Sequence, residues 1–238
     1  MVEYNKRELL EVVLQNDKTL DLEITDELLQ MGNLLGNQPS LFREVYKAFR
    51  NQEDVFENKP KIGAKFSVTF DYPNETIRFE RLETQLVIPF SQFLRLMGLI
   101  DACYSEILPL GTVVELDVDM MPEVIQNMFK NSELGELVIL TGRKVPLREG
   151  FNDYVVDYLG YLWPFGEMSN TPAIYVSNMM IKRVVSHGMT NEWEEQFAFT
   201  FLRSMQVANG KLSSAFLPLD KALAFYEAIH TSPEREAD

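Results

Sequence analysis

Cysteine is almost missing from this chain. Cys103 is the single one in 238 residues, so no disulfide can close within it, and a reducing compartment is expected. Histidine is nearly as scarce. His187 and His230 cannot make a three-histidine metal site, and no His/Cys ligand spacing occurs, so neither a structural zinc nor any other cofactor is expected. No apolar run approaches the roughly 18 residues that cross a bilayer, and Met1 to Glu8 lacks the apolar stretch of a secretory signal. Positive charge is in deficit: 22 Lys and Arg against 36 Asp and Glu give a net charge of −14, which disfavours nucleic-acid backbones and anionic membranes. Also missing are a G-x-S-x-G elbow, a G-x-x-x-x-G-K-S/T loop and a G-x-G-x-x-G fingerprint. These absences predict a cytoplasmic, soluble protein that is not an enzyme, with no nucleic acid among its partners and no membrane insertion.

What is present is ordinary globular material, 46% hydrophobic and 24% charged. The patterning predicts an α+β protein. An N-terminal α/β region, 1–106, contains a β-hairpin. A small, strongly bent antiparallel sheet or barrel with flanking helices follows over 107–205, with a helical insert at 119–134. Residues 206–238 make a C-terminal helix and a disordered tail. Helices are expected at 6–16, after a Thr25 or Asp26 cap as far as Gly36, after a Ser40 cap, and from Pro89 through Tyr104. Leu20, Leu22 and Ile24 alternate as a strand would. Phe66–Tyr72 and Thr76–Leu82 alternate around Pro73-Asn-Glu75 as a hairpin, and Leu86-Val-Ile88 extends its second strand. Further strands are expected at 112–117, 137–142, 154–163, 173–176 and 181–186, with a polar loop from Arg143 to Asn152. Thr190 then caps a helix with Glu192, Glu194 and Glu195 in its first turn. Trp193, Phe197, Phe201 and Leu202 form its apolar face.

Chemistry is harder to find. Cys103 sits among apolar helical residues and is best read as a buried, inert thiol. Asp117 and Asp119 flank a valine at a strand end. Such a pair could serve a glycosidase or bind a cation, but a solvated strand end is the preferred reading. Two surfaces could bind protein. One is the aromatic strand and turn with Tyr158, Tyr161, Trp163 and Phe165; Tyr158 and Tyr161 must point to opposite faces, so one of them points away from the core. The other is the Met-rich insert with Met120, Met121, Ile125, Met128 and Phe129, whose stripe more simply packs on the neighbouring sheet.

Four segments taken in order carry a resemblance. Leu108-Pro-Leu-Gly-Thr-Val-Val114 resembles an L-P-I/L-G-S/T-V-V opening. Val138-Ile-Leu-Thr-Gly-Arg143 resembles a strand of three apolar residues ending in x-G-R. Asp157-Tyr-Leu-Gly-Tyr-Leu-Trp-Pro-Phe-Gly166 is similar to a D-Y-x-G-x-x-Y-P-x-G signature. Tyr175-Val-Ser-Asn-Met-Met-Ile181 is similar to an F-N-x-x-x-I turn. The family is the one catalogued as domain of unknown function 4176, and about residues 107–205 resemble it. The resemblance implies a non-catalytic role beside type VII secretion in Gram-positive bacteria: a cytoplasmic chaperone or adaptor that holds an LXG-type toxin for export. Small helical WXG-like proteins or the secretion apparatus would be further partners. The alternatives are an immunity protein that neutralises a cognate toxin and, remotely, a carbohydrate-active enzyme using Asp117 and Asp119. The insert at 119–134 and the N-terminal region depart from the family pattern, and both could add a different binding surface.

Overall fold

The computed structural model describes residues 5–121, 123–129, 135–147, 150–169, 173–218, 221–222 and 224–225. The side chains of Val124, Ile125 and Met128 lie outside what it describes, as do residues 232 onward, where a disordered tail is expected.

The N-terminal part opens with three helices, α1 (Lys6–Asn16), α2 (Asp26–Gly36) and α3 (Pro39–Arg50). Asn5 caps α1 by accepting from the backbone N–H of Arg7 and Glu8, and Thr25 caps α2 through Leu28. Ser40 is not the cap of α3. Pro39 already occupies the first turn, where its missing N–H costs nothing. The segment between α1 and α2 is not the expected strand. The Asp17 carboxylate accepts from the backbone N–H of Thr19 and Leu20, turning the chain, while Leu20, Leu22 and Ile24 still pack against the core.

Four antiparallel strands follow in the order β1 (Val55–Asn58), β2 (Phe66–Asp71), β3 (Thr76–Arg81) and β4 (Thr84–Pro89). The hairpin pairs Phe70 with Ile77 and Val68 with Phe79. Leu86–Ile88 is not its continuation. A tight turn with Leu82 at φ 54 reverses the chain, and Leu86 pairs with Phe79 in a separate strand. Helix α4 (Phe90–Tyr104) packs on this sheet, with Phe93 stacked on Phe79, tilted against Phe49 and edge to face with Phe70. Cys103 is fully buried in it, and burial pushes its thiol up to about 12, as an inert core thiol requires.

The second sheet has the order β10 (Leu212–Ser213), β7 (Tyr154–Leu162), β6 (Leu137–Pro146), β5 (Val113–Leu116) and β9 (Ile181–Ser186). β8 (Ile174–Val176) adds to β7, and β10 runs parallel to it. Among the described residues the sheet is open and not a closed barrel. β6 does not end at Gly142. A register shift between Leu140 and Gly142 bends it, and the expected loop from Arg143 is strand as far as Pro146. Gly111, at φ 81, makes the turn into β5. Between β5 and β6 lies α5 (Glu123–Phe129).

The two halves have separate cores but are joined where the second contributes to the first. Leu212, Phe216 and Met179 complete the core of the N-terminal part, and Phe216 meets Tyr46 edge to face at 5.4 Å. A buried polar knot joins them too. The Asp157 carboxylate is 0% exposed and accepts from Lys144 Nζ at 2.8 Å, the Asn178 backbone N–H at 2.9 Å and Ser213 Oγ at 2.5 Å. Asn178 Nδ2 donates in turn to Asp101 on α4, at 3.3 Å.

Tyr158 has no outward face. It is completely buried, its hydroxyl donating to the Glu106 carbonyl at 3.1 Å and accepting from the Leu108 N–H at 3.0 Å. Tyr158→Phe leaves that buried N–H without an acceptor, so a loss of about 1–3 kcal/mol is expected. Urea unfolding checks it as a lowered midpoint at unchanged slope.

Candidate protein-interaction surface

After β9 the chain forms one continuous helix from three pieces: α6 (Glu192–Gln196), a π-helical stretch Phe197–Arg203, and α7 (Ser204–Ala208). Asn191, not Thr190, is the cap, its side chain accepting from the Glu194 N–H at 2.9 Å. Glu192, Glu194 and Glu195 occupy the first turn as expected, where carboxylates complement the helix dipole.

The helix meets the body through a modest stripe. Ala198 and Leu202 pack on Ile107. The buried Arg203 guanidinium donates to the carbonyls of Cys103, at 2.8 Å, and Ser105, satisfying the end of α4. At the other end, Arg143 of β6 pairs with Glu194 and sits 5.6 Å from the Phe197 ring centre.

The large apolar side chains point the opposite way. Trp193 is 79% exposed, Phe197 44%, Phe201 51% and Met205 49%, while Phe199, off this row, lies over Arg203. Of the expected apolar face, only Leu202 turns inward. The ring centres of Phe197 and Phe201 are 5.1 Å apart and their planes 18° from parallel. These residues make a ridge at every fourth position. Isolated exposed apolar residues are normal, but an adjacent series on one helix marks a contact surface.

The earlier candidates divide. Tyr158 is core, not a binding anchor, because its parity on β7 points it at Leu108 and Glu106. Met121 and Phe129 are buried with Leu108, Val114 and Leu116, so that part of the insert packs on the neighbouring sheet and offers no free face. Met120 is partly buried against the first core. Tyr161 is half-buried, while Trp163 and Phe165 are exposed on the turn after β7, which contains a cis Trp163–Pro164 bond. Ile125 and Met128 belong to the side chains outside the description. Asp117 is not a solvated strand end. It accepts from Arg43 at 2.5 Å, and Lys47 bridges it and Asp119, tying α3 to the end of β5.

Two concavities lie elsewhere. A cleft of about 1220 Å³ runs between α1, the end of α3, α4 and the 207–218 segment, with Phe49, Tyr72, Phe90 and Tyr154 in its walls. A smaller one, about 260 Å³, lies between α2, α3, the end of α4 and residues 178–184, with Asp101 in its wall. Burial first, and then the nearby Asp157 charge, push the Asp101 carboxyl up to about 7. Among the described residues, no three His, Cys, Asp or Glu side chains are grouped to hold a metal ion. No helix among them is long and apolar enough to cross a membrane.

The class so defined is an α+β protein of two sheets, each with its own core, in which the second half also completes the first core and carries an aromatic ridge. Within it, residues 107–197 match the family model described as Domain of unknown function (DUF4176), a span that runs from the loop after α4 to the first residue of the π-helical stretch. No curated protein and no solved structure matches the chain.

Proposed function

We propose that this protein is a non-catalytic cytoplasmic chaperone or adaptor that binds an LXG-type toxin for type VII secretion in Gram-positive bacteria. The observation that carries the binding part is the exposed ridge of Trp193, Phe197, Phe201 and Met205. Its aromatic composition suits an interface, since Trp and other aromatic anchors dominate binding energy. The identity of the cargo rests on the similarity of residues 107–197 to the family. The engagement of Asp117 and Asp119 by Arg43 and Lys47 supports the non-catalytic reading, because a hydrolytic pair needs carboxylates free to face substrate.

Co-expression with an LXG-type toxin tests the proposal. The toxin is expected to co-purify with the wild-type chain. Combined Trp193→Ala, Phe197→Ala and Phe201→Ala should lower its retention at least tenfold. Failure of the wild-type chain to retain any such toxin overturns the proposal. A second reading, an immunity protein, is favoured by the net charge of −14, which would suit masking a basic toxin domain. Protection of cells expressing the active toxin, with no effect on its secretion, would select that reading.

A further inference from the structure

We infer that the ridge receives an amphipathic helix whose apolar stripe is flanked by Lys or Arg; this rests on the protein-binding reading above and names the partner's chemistry at that site. The argument begins with the shape of the ridge. Trp193, Phe197, Phe201 and Met205 recur every four residues. On a plain α-helix a four-residue step overshoots a full turn by about 40°, so such a row winds away around the axis. The π-helical stretch between Phe197 and Arg203 has wider turns that take up part of this overshoot. The row therefore runs closer to the helix axis, over about 18 Å for its twelve-residue span. A raised row of this kind fits the groove between side-chain rows of a second helix, the usual way two helices meet. It offers nothing to an extended strand, because strand addition needs an open sheet edge and the backbone here is hydrogen-bonded within the helix.

Charge then selects among helical occupants. Glu192 and Glu195 stand exposed beside the ridge, and Glu194 is held at its margin by Arg143. The whole chain carries −14. A second copy docking ridge to ridge in parallel would bring these carboxylates toward their own kind, two chains of this net charge repel in either orientation, and an anionic lipid surface is repelled in the same way. An incoming helix with cations beside its stripe gains from both features.

Synthetic helices of 21 residues test this, all with the same stripe register. One has a leucine stripe flanked by lysine, the second a leucine stripe flanked by glutamate, and the third a serine stripe flanked by lysine. The chain has two tryptophans, so in a Trp163→Phe background the emission of Trp193 reports contact at the ridge. The lysine-flanked leucine helix should shift that emission to the blue and bind at least tenfold more tightly than either of the others. Phe197→Ser with Phe201→Ser, and separately Met205→Ser, should weaken it several-fold or more. Leu82→Ser, at an exposed site on the β3–β4 turn, should leave it unchanged. Overturning results are equal binding of the lysine- and glutamate-flanked helices, no binding, binding that survives both ridge variants, a concentration-dependent dimer dissolved by the same serines, or partition into phosphatidylcholine and phosphatidylglycerol vesicles. Toxin retained through the ridge without peptide binding sinks this inference alone. Peptide binding without toxin retention sinks the cargo assignment alone.

Discussion

Asp157→Ala is expected to cost the fold about 3–5 kcal/mol, the largest single-site loss foreseen in this molecule. The side chain is wholly buried, and Lys144, whose side chain is 5% exposed, has its ammonium 2.8 Å away. Removing the carboxylate leaves that ammonium charged in a medium that solvates it poorly. It also strips the acceptor from the Asn178 N–H and the Ser213 hydroxyl. The damage reaches four elements, since β6, β7, β10 and the turn at Asn178 all meet at this one group. The double variant Asp157→Ala, Lys144→Met removes both charges and should recover part of the loss, because replacing a buried pair by apolar groups is often near neutral. Urea denaturation of the two single variants and the double variant measures the coupling. A double variant no more stable than Asp157→Ala would show that the stranded cation is not the source of the cost.

Asp101→Asn should act in the opposite sense and depend on pH. Burial and Asp157 hold the Asp101 carboxyl up at about 7, against an ordinary 3.8. Lys144, Arg203 and the Asn178 amide also face it and oppose the rise without cancelling it. Between those two values the folded protein keeps a proton that the unfolded chain has released. Folding stability from this group is therefore complete below pH 3.8 and is lost as pH rises toward 7, at up to about 1.4 kcal/mol per pH unit. Asparagine keeps an acceptor for Asn178 and has no charge to bury. The variant should thus match the wild type near pH 4 and exceed it in stability at pH 8. Midpoints of urea unfolding across pH 4–8 check the sign. Parallel curves for the two proteins would mean that Asp101 does not titrate in this window.

The elements legible from sequence were those with local causes. The Phe66–Asp71 and Thr76–Arg81 hairpin carries its alternation and its turn within sixteen residues, and Pro89 announces α4. β10 escaped because two residues hold no period, and β1 because Val55-Phe-Glu-Asn58 does not alternate. β10 also pairs with Tyr154 and Val155, nearly sixty positions earlier, which no neighbouring residue signals. The alternation at Leu20–Ile24 was real, but the Asp17 carboxylate claimed the backbone first. Parity placed Tyr158 and Tyr161 on opposite faces without saying which face was core; the Glu106 and Leu108 backbone groups decided that. The ridge was the instructive miss. Its four-residue spacing is visible, but the same helix carries a second stripe at Ala198, Leu202 and Gln206, and that less apolar stripe faces inward. Arg203, anchored to the carbonyls of Cys103 and Ser105, sets the rotation.

The late arrival of Leu212 and Phe216 in the first core has a consequence for how the chain is made. Synthesis delivers α1 to α4 and the first sheet more than a hundred residues before Phe216, the ring that Phe42 and Tyr46 meet edge to face. The half that emerges first cannot close until the second has supplied Leu212 and Phe216. It stays open until Phe216 has cleared the ribosome, so the nascent protein carries an unsealed apolar surface while more than a hundred further residues are added.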